Sequence, residues 1–313
     1  MSGGNVLALC GGVGGAKLAL GLSLVLPPEK LTVVVNTGDD FTHLGLRICP
    51  DIDTVTYTLA GLSNTETGWG RAGESWEFME NLRSLGGPAW FNLGDKDLAT
   101  HVERTRRLMA GEALSAVTAD FAGRLGIGPA VVPMSDDEVA TVVETDGGDL
   151  AFQHYFVRDR CEPAVRGIRF EGAESAMPSP GFIAALRGAL DAVVVCPSNP
   201  YLSVDPLLAL PGVREALAHH AAPVIAVSPI VGGRAIKGPT AKLMGELGLA
   251  VTPATIVRHY GDMLDGFVLD SEDRDLADGL GASTLITNTV MKTIEDRTGL
   301  ARAVLDFAAR LRA

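Results

Sequence analysis

Apolar and polar positions alternate along this chain in two distinct ways. Residues 6–10 (VLALC) form a short, uninterrupted apolar run, and residues 31–36 form another. Between them lie Gly11-Gly12-Val13-Gly14-Gly15 and an apolar-rich stretch over 16–22. This order predicts a buried strand, a glycine loop, a helix and a second buried strand, the opening of a parallel sheet with crossover helices. From residue 54 to about 127 the runs give way to helical periodicity, predicting helices over 77–85, 98–109 and 114–125. Asp97 and Ser115 are candidate N-caps there, and Gly111 and Gly126 candidate stops.

Strand character returns at 130–133. Residues 139–144 and 151–157 flank Asp146-Gly147-Gly148-Asp149, a turn signal for a β-hairpin. Helices are then predicted at 181–190, 213–219, 241–247 and 290–310. Strands are predicted at 192–196, 224–227, 266–269 and 284–286. The expected fold is α/β: a Rossmann-like, mostly parallel sheet with flanking helices, a helical insertion and a β-hairpin. Residues 1–53 and 128–313 would form a Rossmann-like core, and 54–127 a helical insertion subdomain.

The chain has 313 residues, enough to bury a substantial core, and its formal net charge of −12 argues against a nucleic-acid partner. The four cysteines, Cys10, Cys49, Cys161 and Cys196, have neither disulfide-framework nor zinc-site spacing. A reducing, cytoplasmic setting is expected. No signal-peptide pattern opens the chain, and no apolar segment has the length to span a bilayer.

Two segments bear most of the chemistry. The glycine loop brings backbone close to its surroundings and places helix N-terminal amides where they attract an anion. It breaks the dinucleotide fingerprint at Lys17, where a third glycine would stand, and lacks the Walker ending. A nicotinamide dehydrogenase is therefore disfavoured. Tight helix–sheet packing would call for the same glycines. The second segment is acidic: Asp39, Asp40, Asp51 and Asp53 fall within fifteen residues. Carboxylates beside a phosphate loop repel the ligand unless a hard cation intervenes, which suits magnesium. Holding a ribose hydroxyl or capping a helix are the alternatives for one of them.

Weaker signals come from loops expected at the same sheet edge. Lys96 and His101 follow Asp95, but such helical residues usually serve structure or solvation. Met134, Ser135 and Asp136 follow the strand at 130–133. Ser198 and Asn199, then Ser228 and a segment running through Lys237, follow later strands. Ser, Asn, Pro and Gly are also ordinary turn residues. Ligands nevertheless bind beyond the carboxyl ends of parallel strands, where all these loops should meet.

Together, residues 10–17, 36–40, 47–54, 93–101, 133–137, 197–200 and 228–230 resemble the 2-phospho-L-lactate transferase (CofD) family. The segments at 47–54 and 93–101 are the specific ones. The resemblance implies a magnesium-dependent, often dimeric transferase of coenzyme F-420 biosynthesis. Its donor would be a guanylylated phospho-acid: 2-phospho-L-lactate, phosphoenolpyruvate or 3-phosphoglycerate joined to GMP. Its acceptor would be the ribityl hydroxyl of the deazaflavin Fo. By resemblance, Asp39 and Asp53 are the metal and catalytic residues. Gly12, Val13, Gly14, Gly15, Ser198, Asn199 and Ser228 would face the donor nucleotide. Asp53, Asp95, His101, Met134, Ser135 and Asp136 would face Fo. Some relatives carry a basic residue where this chain has Asn92, so no Fo contact is assigned there. A regulatory, sugar-nucleotide-binding relative, the gluconeogenesis-factor family, shares the glycine and acidic loops and is the rival reading.

Overall fold

The computed structural model describes residues 4–66, 68–235 and 238–312. Seven parallel strands form its central sheet: β1 (Asn5–Cys10), β2 (Leu31–Val35), β3 (Ala130–Pro133), β4 (Leu190–Val195), β5 (Val224–Val227), β6 (Gly266–Asp270) and β7 (Ser283–Thr287). The spatial order is β7-β6-β5-β4-β1-β2-β3. The chain thus winds outward from β1 to β3, returns to place β4 on the other side of β1, and winds outward again. Every strand pair in this sheet is parallel, including the final pair β6–β7.

Side chains alternate between two cores, as period-two geometry requires. Leu7, Leu9, Val193, Val195 and Phe267 face one core, while Val6, Ala8, Ala192, Val194 and Val268 face the other. These runs are apolar on both faces because helices cover both. The second core is closed by α1 (Gly12–Val25), α2 (Pro50–Leu59) and the long C-terminal helix Ile294–Arg312. The first is closed by the helix Pro180–Arg187, the chain from Tyr201 to Leu217 and the helix Pro253–Tyr260.

The region expected to be helical holds α3 (Glu77–Ser84), α4 (Asp95–Met109) and α5 (Leu114–Arg124). The expected boundary at residue 54 falls inside α2, which packs on α1 and belongs with the core. Gly111 and Gly126 sit just past helix ends with φ of 87° and 72°, the left-handed conformation expected of stops. The N-caps differ from expectation. Gly94 and Ala113 hold the cap positions, while Asp97 and Ser115 lie within the first turns. Capping comes from distant carboxylates instead: Glu74 accepts from the Lys96 and Asp97 amides at 2.7 and 2.9 Å.

The hairpin forms, with Thr145 opposite Gly148, but its second strand ends at Ala151. Residues His154–Arg158 are a wide helical turn rather than strand. Strand Val165–Glu171 completes an antiparallel three-stranded sheet that was not anticipated. Its charged residues mask its β pattern, since Arg169 pairs with Asp149 and Glu171. A small hairpin, Phe41–His43 with Leu46–Ile48, was also not anticipated.

Candidate functional site

The strand order reverses between β1 and β4, so the crevice beyond their carboxyl ends is the expected ligand position. There the glycines prove to be the first turn of α1 rather than a preceding loop. A Cβ on Gly14 would lie 2.3 Å from the Pro197 carbonyl oxygen, and one on Gly15 would lie 2.6 Å from Ser198 Oγ. Both are therefore required by contact between α1 and the loop after β4. Gly12 alone has a left-handed φ, +61°, and open space beside it. The packing explanation holds for Gly14 and Gly15, and Gly12 is the open position.

Ser198 ties that loop down: its hydroxyl donates to the Gly11 carbonyl at 2.7 Å and accepts from the Gly11 amide at 3.2 Å. Asn199 caps the turn that follows, its Oδ1 accepting from the amides of Tyr201 and Leu202. Its Nδ2 is buried and finds no partner among the described residues. Ser228 is closed into its own turn, donating to the Ile230 carbonyl at 2.8 Å. Lys237 lies outside the described residues. At the tip of α1, Asp51 Oδ1 accepts from the Gly12 amide at 2.8 Å, and Asn36 donates to Asp51 Oδ2 at 3.0 Å. The amides of Val13 and Gly14 lie in the first helical turn, where no intrahelical acceptor exists.

Next to this edge, after β2, lies a row of buried carboxylates. Asp39, Asp40, Asp51 and Asp53 are each only 6% exposed. Asp39 Oδ1 and both oxygens of Asp40 have no hydrogen-bond partner among the described residues. Burial, then the neighbouring Asp51 and Asp40 charges, push the Asp39 carboxyl well above its ordinary range. Burial pushes Asp40 up to about 7, against the pull of Arg47. Asp51 also rises through burial, although Asn36 and the Gly12 amide favour its ionised form. Four carboxylates here meet two mostly buried guanidiniums, Arg47 and Arg104. With all groups ionised, the row has two excess negative charges. That excess and the oxygens without hydrogen-bond partners fit a divalent cation at Asp39 and Asp40, with Asp40 Oδ2 also facing Arg47 Nη2 at 3.8 Å.

Asp53 is differently placed. Arg104, 1% exposed, donates to both of its oxygens, with Nη1–Oδ2 at 3.1 Å. Burial opposes the Arg104 charge, but the Asp53 carboxylate outweighs it and holds the guanidinium firmly ionised. His101, also buried, lies between Asp53 (Nδ1–Oδ2 3.6 Å) and Asp97 (Nε2–Oδ2 3.3 Å). Tyr57 donates its hydroxyl to Asp97 at 2.6 Å. Asp53, Asp97 and His101 bring ligand atoms within 4.8 Å of one another. Arg104 already supplies the positive charge at that cluster. Asp39 and Asp53, expected to share one cation, thus differ in their present partners: Arg104 donates to both Asp53 oxygens, while Asp39 Oδ1 has no partner among the described residues.

Other expected Fo residues have internal partners. Asp95 accepts from the Glu77 and Phe78 amides and from Ser75, capping α3. Asp136 accepts from the amide and hydroxyl of Ser115, capping α5. Met134 is wholly buried in the core, and Ser135 donates to the Met177 carbonyl at 2.6 Å. Asn92 accepts from Arg83 at 2.8 Å. Arg104 escaped the sequence reading because it stands in the charged stretch Glu103-Arg104-Thr105-Arg106-Arg107. The available signal was spacing: Asp97, His101 and Arg104 are four and three residues apart, on one helix face. A cavity of about 230 Å³ opens beside Arg104, between α2, α4 and α5.

The chain matches the family described as 2-phospho-L-lactate transferase CofD over residues 6–284. It is 42% identical to a protein of Streptomyces griseus named phosphoenolpyruvate transferase, over 99% of this chain and 100% of that one. It is 40% identical to a Thermobifida fusca protein of the same name, over 98% of this chain and 99% of that one. A crystal structure from Bacillus halodurans, a member of the UPF0052 family, shares the fold. Its TM-score is 0.63 at 17% identity, covering 97% of this chain and 99% of that one. Among the described residues, no helix is long and apolar enough to cross a membrane. Near-complete coverage, the motifs around the carboxylate row and the glycine-tipped helix agree, and the chain belongs to the CofD transferase family.

Proposed function

We propose that the protein acts in coenzyme F-420 biosynthesis, moving a three-carbon phospho-acid from a guanylyl diphosphate donor to Fo. The names of its relatives favour phosphoenolpyruvate as the acid. The ribityl hydroxyl oxygen forms a bond to the acid-side phosphorus. The bond from that phosphorus to the bridging oxygen breaks, and GMP departs with the electron pair. The observation that carries this reading is the adjacency of two edges. The α1 amides and the unpartnered Asn199 Nδ2 follow β1 and β4, and Asp51 of the negatively charged carboxylate row accepts from the Gly12 amide at the tip of α1.

In this reading the α1 amides receive the donor phosphates and Asn199 Nδ2 donates to the nucleotide side. A carboxylate oxygen of the row takes the hydroxyl proton. Asp39 and Asp40 would hold magnesium, which when bound neutralises diphosphate charge. Asp53 would join them only on leaving Arg104. A homodimer is part of the same proposal, and light scattering tests it. The deciding experiment incubates the purified protein with Fo, magnesium and each of the three guanylylated donors. GMP and a phospho-acid adduct of Fo should form in equal amounts, fastest with the phosphoenolpyruvate donor. Tight donor binding with no GMP release from any donor would overturn the proposal.

A further inference from the structure

Arg104 has two properties that a purely structural ion pair does not need. It neutralises the one carboxylate of the row that a cation at Asp39 and Asp40 would otherwise recruit. It also lines a cavity. The guanidinium is 1% exposed, and about 230 Å³ of space lies beside it. Thr118 lines the same cavity, is 3% exposed, and its Oγ1 has no partner among the described residues. An orphaned hydroxyl is costly in a buried position unless something uses it. A displaced guanidinium would find an acceptor there.

We propose that Arg104 is a gate on the cation site. It competes with the divalent cation for Asp53, and cation entry drives its guanidinium from Asp53 into the cavity against Thr118. The charges support this direction. A buried guanidinium and a divalent cation repel each other strongly at short range, whereas Asp53 can neutralise only one of them well. The gate keeps the row from carrying an uncompensated Asp53 when no cation is bound. It rests on reading the row as a cation site, and on no particular donor or acceptor.

The test uses the full chain stripped of metal, with no donor or Fo present and Mn²⁺ as the probe. Binding is read by calorimetry and by the electron paramagnetic resonance of the bound ion. Arg104→Gln should bind Mn²⁺ roughly tenfold tighter than the wild type, since removing the competitor leaves a buried, unpaired carboxylate. Adding Asp53→Asn to that variant should abolish the gain. Thr118→Val should weaken binding several-fold, because the released guanidinium loses its acceptor. Arg104→Lys, which keeps a charge and safeguards folding, should tighten binding by less than Arg104→Gln. Arginine variants that bind no tighter, or a gain that survives Asp53→Asn, overturn the gate. Absence of turnover with all three donors would refute the proposed function and leave the gate standing.

Discussion

The donor crevice and the carboxylate row are neighbours on one sheet edge, but they are made differently. The crevice is mostly backbone. Its helix tip and loops are held by Ser198, Asn199 and Asp51, and its glycines are set by contact with Pro197 and Ser198. The row is side chains, with charges that do not balance. A backbone site can be prepared for an anion without burying any net charge. A side-chain site of four carboxylates is strained until protons, guanidiniums or a cation neutralise it. One edge thus waits for a ligand at rest, and the other pays for readiness with raised proton affinities.

Perturbing each edge separately tests that contrast. The largest effect should come from the row. Asp39→Asn should cut turnover about a hundredfold to a thousandfold while the protein stays folded, as measured by steady-state kinetics and thermal melting. Wild-type rates at saturating magnesium would remove Asp39 from the reaction. Next is Gly14→Val, which forces a branched side chain against the Pro197 carbonyl. GDP affinity should fall about a hundredfold by calorimetry, and Fo affinity far less. Equal losses for both ligands would show that the two edges are not separable.

Asn199→Asp keeps the capping oxygen and removes the unpartnered donor, so GDP should bind about tenfold more weakly with an unchanged melting temperature. An unchanged affinity would mean that Nδ2 does not face the nucleotide. A pH experiment then reads the row alone. Folding raises the Asp40 pKa from 3.8 to about 7, so between these values the folded state holds a proton that the unfolded chain has lost. Stability of the metal-free protein should therefore fall as pH rises through that window, and Asp39 and Asp51 act in the same direction. Asp40→Asn should flatten the dependence in denaturant titrations. Asp95→Asn should matter least: it weakens the α3 cap, giving a small drop in melting temperature and little change in Fo affinity.

What could be read in advance follows the same division. Short-range patterns showed the β1–glycine–α1–β2 opening, the helices of the insertion and the later parallel strands, because period and capping residues are local. The acidic row was visible as composition. Its internal wiring was not. Arg104 reaches Asp53 across 51 positions of sequence and Glu74 caps α4 across more than twenty. Such partners depend on which helix faces align, which no local window contains. Gly14 and Gly15 were legible as special, but their reason, contact with a loop after β4, lay about 180 residues downstream.

The position of β1 has a consequence for how the chain is made. β1 is synthesised well before β4, one of its two neighbours, with which it pairs in a register that aligns Val6 with Ala192. Until β4 has been synthesised, the hydrogen-bonding edge of β1 on that side has no native partner. The Gly4 amide and Arg312 both bind Asp191, so segments more than 300 residues apart also meet at that late strand. Folding on the ribosome should therefore stall with half a sheet and an open edge. Refolding in the test tube should be slow and increasingly lossy at high protein concentration, with fragments ending before β4 aggregating where the full chain recovers.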